Sequence, residues 1–355
     1  MKYTPSQASM TMSRRDIIRS LGAAGLLAMA PKLSFAAGGT LVVSNWGGDW
    51  NDRTIRYVEK PLVESQGIRI VRDLGVEADR KAKVLAERRL PRGTIDVMHI
   101  NQGDAYELHN YGVLADLDKS KISNFASVPE QLQTMPYFVP WLYSGVVIIF
   151  NKDKVPDPPK SYKELWDKKW LGKLGLTNQL YFNYVMMASL VASGKVNDGE
   201  AGMKQLLELK KLTEPKIYAT HQHLQSALLT GEVDIAVNYK ARGLQWIHDG
   251  APLDIQFPGG GAISVMFGAS LLKKAPNLDA AYVYLNAMLD KRAMAGLAQA
   301  SFYAPANANA ELPADVRAKI DFSSEERGLL HMPDYPYVAK NTAAWLEWWN
   351  KSIAV

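Results

Sequence analysis

Short runs of β-branched and apolar residues alternate along the chain with segments whose apolar positions recur every three or four residues. Leu41 to Trp46 reads as a strand entering a loop at Gly47 and Gly48, and Ile55, Val58, Leu62 and Val63 then carry helical spacing. Ile68 to Val71 predicts a second strand, Lys83 to Ala86 part of a polar helix, and Ile95 to Ile100 a third strand ending at Asn101, Gln102 and Gly103. This alternation predicts an α/β protein with a mostly parallel sheet, in which ligands lie beyond the carboxyl ends of the strands.

A second unit of the same design follows Tyr137 to Trp141. Ser144 to Asn151 reads as a buried strand, and Pro156, Pro158 and Pro159 exclude helix from the next stretch. Ser161 and Glu164 have capping-box spacing and predict a helix leading into Leu165 and Trp166. Further strands are expected at 174–177, 232–239 and 263–267, with helices at 183–193, 201–212, 222–229 and 280–290 and a loop at 301–309. Trp345, Trp348 and Trp349 share one helical face, the pattern of a docked C-terminal helix.

The first 36 residues follow another pattern. A polar, basic start precedes the apolar run LGAAGLLAMA at 21–30 and small residues at 34–37. That run fits a signal-peptide core and falls well short of the ~20 residues needed to span a bilayer. Ser13 to Arg19 resembles a twin-arginine export signal, with Arg14 and Arg15 as the pair. The expectation is a cleaved leader at 1–36 and a periplasmic mature chain, not integral to the membrane. The formal charge of +5 resides mostly in this leader, through Lys2, Arg14, Arg15, Arg19 and Lys32 against Asp16, so it does not point to nucleic acid.

The absence of cysteine from all 355 residues excludes disulfide scaffolds, thiolate metal sites and cysteine nucleophiles. No cofactor fingerprint or nucleophile elbow is present, and neither a cofactor nor a catalytic residue is expected. His221 and His223 form the only close histidine pair, without a third ligand at metal spacing, and read as polar loop residues. Gly259 to Gly261 could cradle an anion but reads better as a tight connection. Polar and aromatic residues do gather at the expected strand ends: Asn45 and Trp46; Asn101 and Gln102; Trp141, Tyr143 and Ser144; Tyr181 and Asn183; Asn238, Tyr239 and Arg242. Two α/β lobes facing one another would make a ligand cleft from such groups.

The segments LVVSNWG (41–47), IDVMHINQGDAYELHNYGVLADLDKSKISNF (95–125), SYKELWDKKWLGKLGLT (161–177), GEVDIAVNYKARG (231–243) and AAYVYLNAMLDKRAMAGLAQASFYAPANANA (280–310) resemble, in that order, periplasmic solute-binding proteins of the spermidine/putrescine-binding type. The resemblance implies a two-lobed periplasmic-binding-protein fold of type II, with crossing strands near 138–142 and 256–264. Lobe 1 is then expected at 37–140 plus 264–308, and lobe 2 at 141–263 plus 309–355 with the docked tail. It also implies a monomer that closes around one small solute, Phe267 among its contacts, and delivers it to the permease of an ABC importer.

Polyamine binders of that family hold protonated amines with carboxylates in two places. The matching stretches here, 178–183 and 264–268, contain no acid, whereas Lys240 and Arg242 follow the strand ending at Asn238 and Tyr239. A buried cation without a carboxylate would be several kcal/mol worse off than in water, so the expectation is a carboxylate- or phosphonate-bearing solute. The alternatives are a polyamine carrier, a metal carrier of the same fold using Tyr181 and Tyr184, and a periplasmic enzyme.

Overall fold

The computed structural model describes residues 39–355, and the expected leader lies outside the described residues. Strand β1 (Thr40–Asn45) leads into helix α1 (Gly48–Thr54), which widens into a π-helical stretch, Ile55–Val63, around Pro61. Proline has no N–H for the α-helical ladder, and the wider turn accommodates it. Then come β2 (Arg69–Leu74), α2 (Glu77–Glu87), β3 (Val97–Asn101) and α3 (Gln102–Asn110). After several 3₁₀ turns, β4 (Val139–Asn151), β5 (Leu174–Thr177), α4 (Tyr181–Ser193), α5 (Gly199–Thr213), β6 (Lys216–Tyr218), α6 (His221–Thr230), β7 (Ile235–Tyr239), α7 (Lys240–His248) and β8 (Leu253–Gln256) follow. The chain returns through β9 (Ala262–Leu271), α8 (Leu278–Met288), α9 (Lys291–Ser301) and β10 (Ala304–Pro305). It closes with α10 (Ala314–Ile320), α11 (Ser324–Gly328), β11 (Leu330–His331) and α12 (Tyr335–Ser352).

The strands run in the order β2-β1-β3-β9-β4-β7-β5-β6, with β8 and β10 on β4 and β11 on β9. β1 is parallel to β2 and β3, and β5 is parallel to β6 and β7; the two long strands β4 and β9 are antiparallel to each other, β9 to β3 and β4 to β7, while the short β11 runs parallel to β9. These give the two lobes of a type II periplasmic-binding-protein fold. The crossing is explicit in β4: residues up to Gly145 pair with β9, whereas Val146 to Phe150 pair with β7. The partner change therefore falls between Gly145 and Val146, and Trp141, Leu142 and Tyr143 pack with the first sheet. Gly268 of β9 is required where the strands meet, since a Cβ there would lie 2.1 Å from the Val139 carbonyl oxygen.

One hydrophobic cluster surrounds the first sheet, from Leu41 to Tyr143 and again from Met266 to Ala310. In the second, alternate residues of β4 enter opposite layers: Val146, Ile148 and Phe150 face α4, α5 and the tail, while Val147 and Ile149 pack with α6 and α7. Trp345 and Trp349 of α12 are buried in the former layer, and the Trp349 ring stacks on Tyr184 at 5.6 Å.

Three local expectations require correction. Residues 162–166 form a 3₁₀ helix, because the Glu164 carbonyl is taken by the Trp170 indole N–H at 2.9 Å and its carboxylate by the Lys160 N–H and the Ser161 hydroxyl. A helix, α3, starts directly after Asn101, where the end of the third strand was expected to run through Gln102 and Gly103. The loop expected at 301–309 contains β10, which extends the first sheet beside β4.

Candidate functional site

Three strands carry an asparagine at or just before their last residue that bonds the backbone following it. Asn45 Oδ1 accepts the Trp46 N–H at 2.8 Å, Asn238 Oδ1 accepts the Tyr239 N–H at 2.8 Å, and Asn101 Oδ1 caps α3 by accepting the Asp104 N–H at 2.9 Å. Short amides that bond the following backbone suit such corners, and they aim the next side chain out of the sheet.

On the first lobe this builds an aromatic wall. Trp46 meets Trp50 edge-on at 5.3 Å and Phe267 at 5.9 Å; Trp50 contacts Trp141 at 5.7 Å and Tyr303 at 6.0 Å; Phe267 lies 5.5 Å from Tyr303. Trp46, Trp50 and Phe267 are half-buried, whereas Trp141 and His99 are sealed behind them. His99 Nε2 is 2.6 Å from the Tyr284 hydroxyl, and its pKa is pushed down to about 3, first by burial and then by Arg80. Buried Arg80 donates to the carbonyls of His99 and Gly75 and lies 4.7 Å over the Trp46 ring. One face of Trp46 already holds a cation, and Arg80 Nη2 has no hydrogen-bond partner among the described residues.

On the second lobe, Asn238, Tyr239, His221 and Arg242 come together. Asn238 Nδ2 donates to His221 Nδ1 at 3.0 Å, and the His221 ring lies 5.7 Å from Tyr239. Burial, followed by the Arg242 charge, pushes the His221 pKa down to about 4. The Arg242 charge also opposes the rise in the pKa of the buried Tyr239 and Tyr303 phenols. Burial holds both phenols above their usual range. Arg242 Nε is shielded from solvent without a hydrogen-bond partner among the described residues. Arg72, Arg317 and Arg327, by contrast, are paired with carboxylates.

Of the residues expected at a site, Trp46, Trp141 and Phe267 thus belong to the aromatic wall of the first lobe, and Asn238, Tyr239 and Arg242 to the polar group of the second. Asn45 reaches Thr54 Oγ1 at 3.5 Å, and Asn101 joins Glu77 and Asp104 at the carboxyl end of β3. Gln102 is buried against Thr134, and its Oε1 lacks a partner among the described residues. The others are engaged elsewhere. Tyr143 donates to Asp321 at 2.8 Å, Ser144 accepts the Ala241 N–H at 3.2 Å, and Tyr181 meets Thr342 of α12 at 2.9 Å. Asn183 is the exception: it is buried in α4, and its Oδ1 has no partner among the described residues. Lys240 turns to the Asp321 carbonyl and lies 4.5 Å over Phe322. The glycine run is a turn whose Gly259 and Gly261 N–H groups donate to the Lys160 and Pro258 carbonyls. Sequence reasoning passed over Trp50, Arg80, His99 and Tyr303, and it read His221 and His223 as loop residues, whereas both lie in the first turn of α6. His221 had one usable signal, the Thr220 N-cap that fixes its place at the start of α6.

Among the described residues, no group of three His, Cys, Asp or Glu side chains is placed to hold a metal ion, and no helix is long and apolar enough to cross a membrane. The sequence pattern of bacterial extracellular solute-binding proteins matches residues 60–323. The spermidine/putrescine-binding periplasmic protein of Escherichia coli K12 is 24% identical over 284 residues, 76% of this chain and 79% of that protein. An ABC transporter structure from Clostridium perfringens ATCC 13124 superposes with a TM-score of 0.77 at 23% identity, covering 88% of this chain and 99% of the other. The periplasmic binding protein AgtB of Agrobacterium tumefaciens R10, in complex with agropinic acid, gives 0.69 at 21% identity, covering 89% and 99%.

Proposed function

The chain belongs to the bacterial extracellular solute-binding protein family, and from that premise we propose that it captures a small organic anion in the periplasm for an ABC importer. The anion bears a carboxylate or phosphonate and lies between the Trp46, Trp50, Phe267 and Tyr303 wall and the His221, Tyr239 and Arg242 surface. The observation that carries this reading is Arg242, whose Nε is buried without a partner among the described residues. A bound oxyanion supplies that partner through the planar fork of the guanidinium. The protein then acts as a monomeric carrier without catalysis, its lobes divided where β4 and β9 cross, and contacts to both surfaces favour closure.

A polyamine fits these surfaces poorly, although the E. coli relative is named for polyamines. Arg80 occupies one face of Trp46, and stretches 178–183 and 264–268 offer no acid to an ammonium group. AgtB shows that the fold can house an organic acid. A thermal-shift screen of amino acids, opines, phosphonates, organic acids and polyamines tests the choice, since a ligand at 100 times its Kd adds ~2.7 kcal/mol. The expected result is stabilisation by an anionic or zwitterionic solute and none by spermidine or putrescine; tight polyamine binding overturns the reading.

A further inference from the structure

We propose that His221 determines specificity at this site as a fixed neutral donor, its Nε2–H completing with Arg242 a two-point grip on the oxyanion. The inference rests on the anion reading of Arg242 and adds to it a second residue and a defined proton.

The proton's position follows from a chain of hydrogen bonds. The Tyr239 backbone N–H can only donate, so the Asn238 atom that receives it at 2.8 Å is the amide oxygen. The other end of that amide, Nδ2, then faces His221 Nδ1 at 3.0 Å as a donor. An Nδ1 that accepts carries no proton, so the neutral ring has its proton on Nε2. Turning the amide over would set its NH2 group against the Tyr239 N–H and orphan a buried donor.

The rest of the surroundings opposes a second proton. The groups facing the ring are Asn238 and Tyr239 from β7, Arg242 from α7 and, at the His221 backbone, Gln179 Oε1, which accepts its N–H at 2.8 Å. None of these is a carboxylate, and Arg242 repels an imidazolium. His221 Nε2 makes no hydrogen bond among the described residues and is not sealed from solvent in the manner of Arg242 Nε. An uncharged N–H within the field of a half-buried guanidinium whose Nε is shielded favours an acceptor with two oxygens and penalises an ammonium group, which has no lone pair to offer either donor.

The probe is methylphosphonate added to the full mature chain, followed by ¹⁵N and proton NMR of the histidine rings and the Arg242 Nε–H. The free protein should show His221 with Nε2 protonated, Nδ1 bare and no titration above pH 5. Methylphosphonate should move both the His221 Nε2–H and the Arg242 Nε–H downfield. His221→Phe should weaken binding about tenfold, the scale of one hydrogen bond to a charged group, while His221→Gln, whose amide places an N–H near Nε2, stays within about threefold. An Arg242 response with an unmoved His221 ring, or equal affinity in His221→Phe, overturns the role of His221 and leaves that of Arg242. No response at Arg242 overturns both. A doubly protonated His221 in the complex also overturns the inference.

Discussion

Lys240 and Arg242 stand two residues apart at the start of α7 and meet opposite surroundings. Lys240 lies over Phe322 and donates to the Asp321 carbonyl, inside a network where Asp321 accepts from Tyr143 and from the Phe322 N–H at 2.8 Å and pairs with Arg317 at 3.3 Å and Arg327 at 3.7 Å. Arg242 faces phenols and a neutral imidazole, and its Nε has no partner among the described residues. One cation is consumed within the fold, and the other retains unspent hydrogen-bonding capacity. Buried charge that the fold itself neutralises marks architecture; buried charge that it leaves open marks a place for something not covalently part of the chain.

The sharpest way to break this contrast is to remove Arg242. Arg242→Met should weaken binding of the solute found by screening by about 2 to 5 kcal/mol, the range for truncating one partner of a buried charge pair. Thermal stability of the unliganded protein should hold or rise, because an unsatisfied buried donor disappears. Calorimetry and melting curves on the same preparation report both; lost stability with unchanged affinity would place Arg242 in the architectural class.

Asp321→Ala should do the reverse. It removes the carboxylate shared by Arg317, Arg327 and the Tyr143 hydroxyl at the crossing strand, leaving the arginines their bonds to the Ala310 and Phe322 carbonyls, and with both arginines about one-third exposed the cost is about 2 to 4 kcal/mol of stability. Denaturant unfolding measures this. Solute affinity should change by less than about threefold, and a larger loss would mean that this network takes part in closure.

Lys240→Met is a smaller test of the same partition. The substitution removes one hydrogen bond and one cation–π contact, costing about 1 kcal/mol of stability with affinity unchanged. An affinity loss matching that of Arg242→Met would collapse the contrast between the two residues.

The alternation of strands and helices exposed most of the architecture in the sequence, since buried runs such as Val146 to Phe150 and the Trp345 and Trp349 face carry their period openly. α3 was hidden because Gln102 to Asn110 buries only Gln102, Ala105 and Leu108, too few to establish a period. The site was legible as strand-end residues but not as an assembly. Asn45, Asn101 and Asn238 looked like ligand contacts, and each spends hydrogen bonds on the backbone of its own turn. Arg80, 34 residues from Trp46 in sequence, and His221 acquire meaning only when the fold brings them beneath an indole or beside a guanidinium.

A third charged region separates the two kinds most finely. Glu77 accepts from Asn101 Nδ2 at 3.0 Å, close to Asp104, which Lys81 pairs together with Glu107. Burial, then the Asp104 charge, raises the Glu77 pKa to about 7, so this acidic pair does not present two full charges at the carboxyl end of β3 at neutral pH. A carboxyl whose folded value lies above its unfolded one contributes stability below the unfolded value, here 4.5, and loses it as the pH rises through about 7. Glu77→Gln carries no such loss. Its stability relative to the unsubstituted protein should therefore climb between pH 5 and 8 by about 1 to 2 kcal/mol, less than the full linkage of 1.36 kcal/mol per unit because Asp104 and Lys81 share the proton's field. Denaturation curves at four pH values measure the difference. Parallel pH profiles would show Glu77 ionised throughout, and the carboxyl end of β3 would then hold an acid of the kind missing from 178–183 and 264–268.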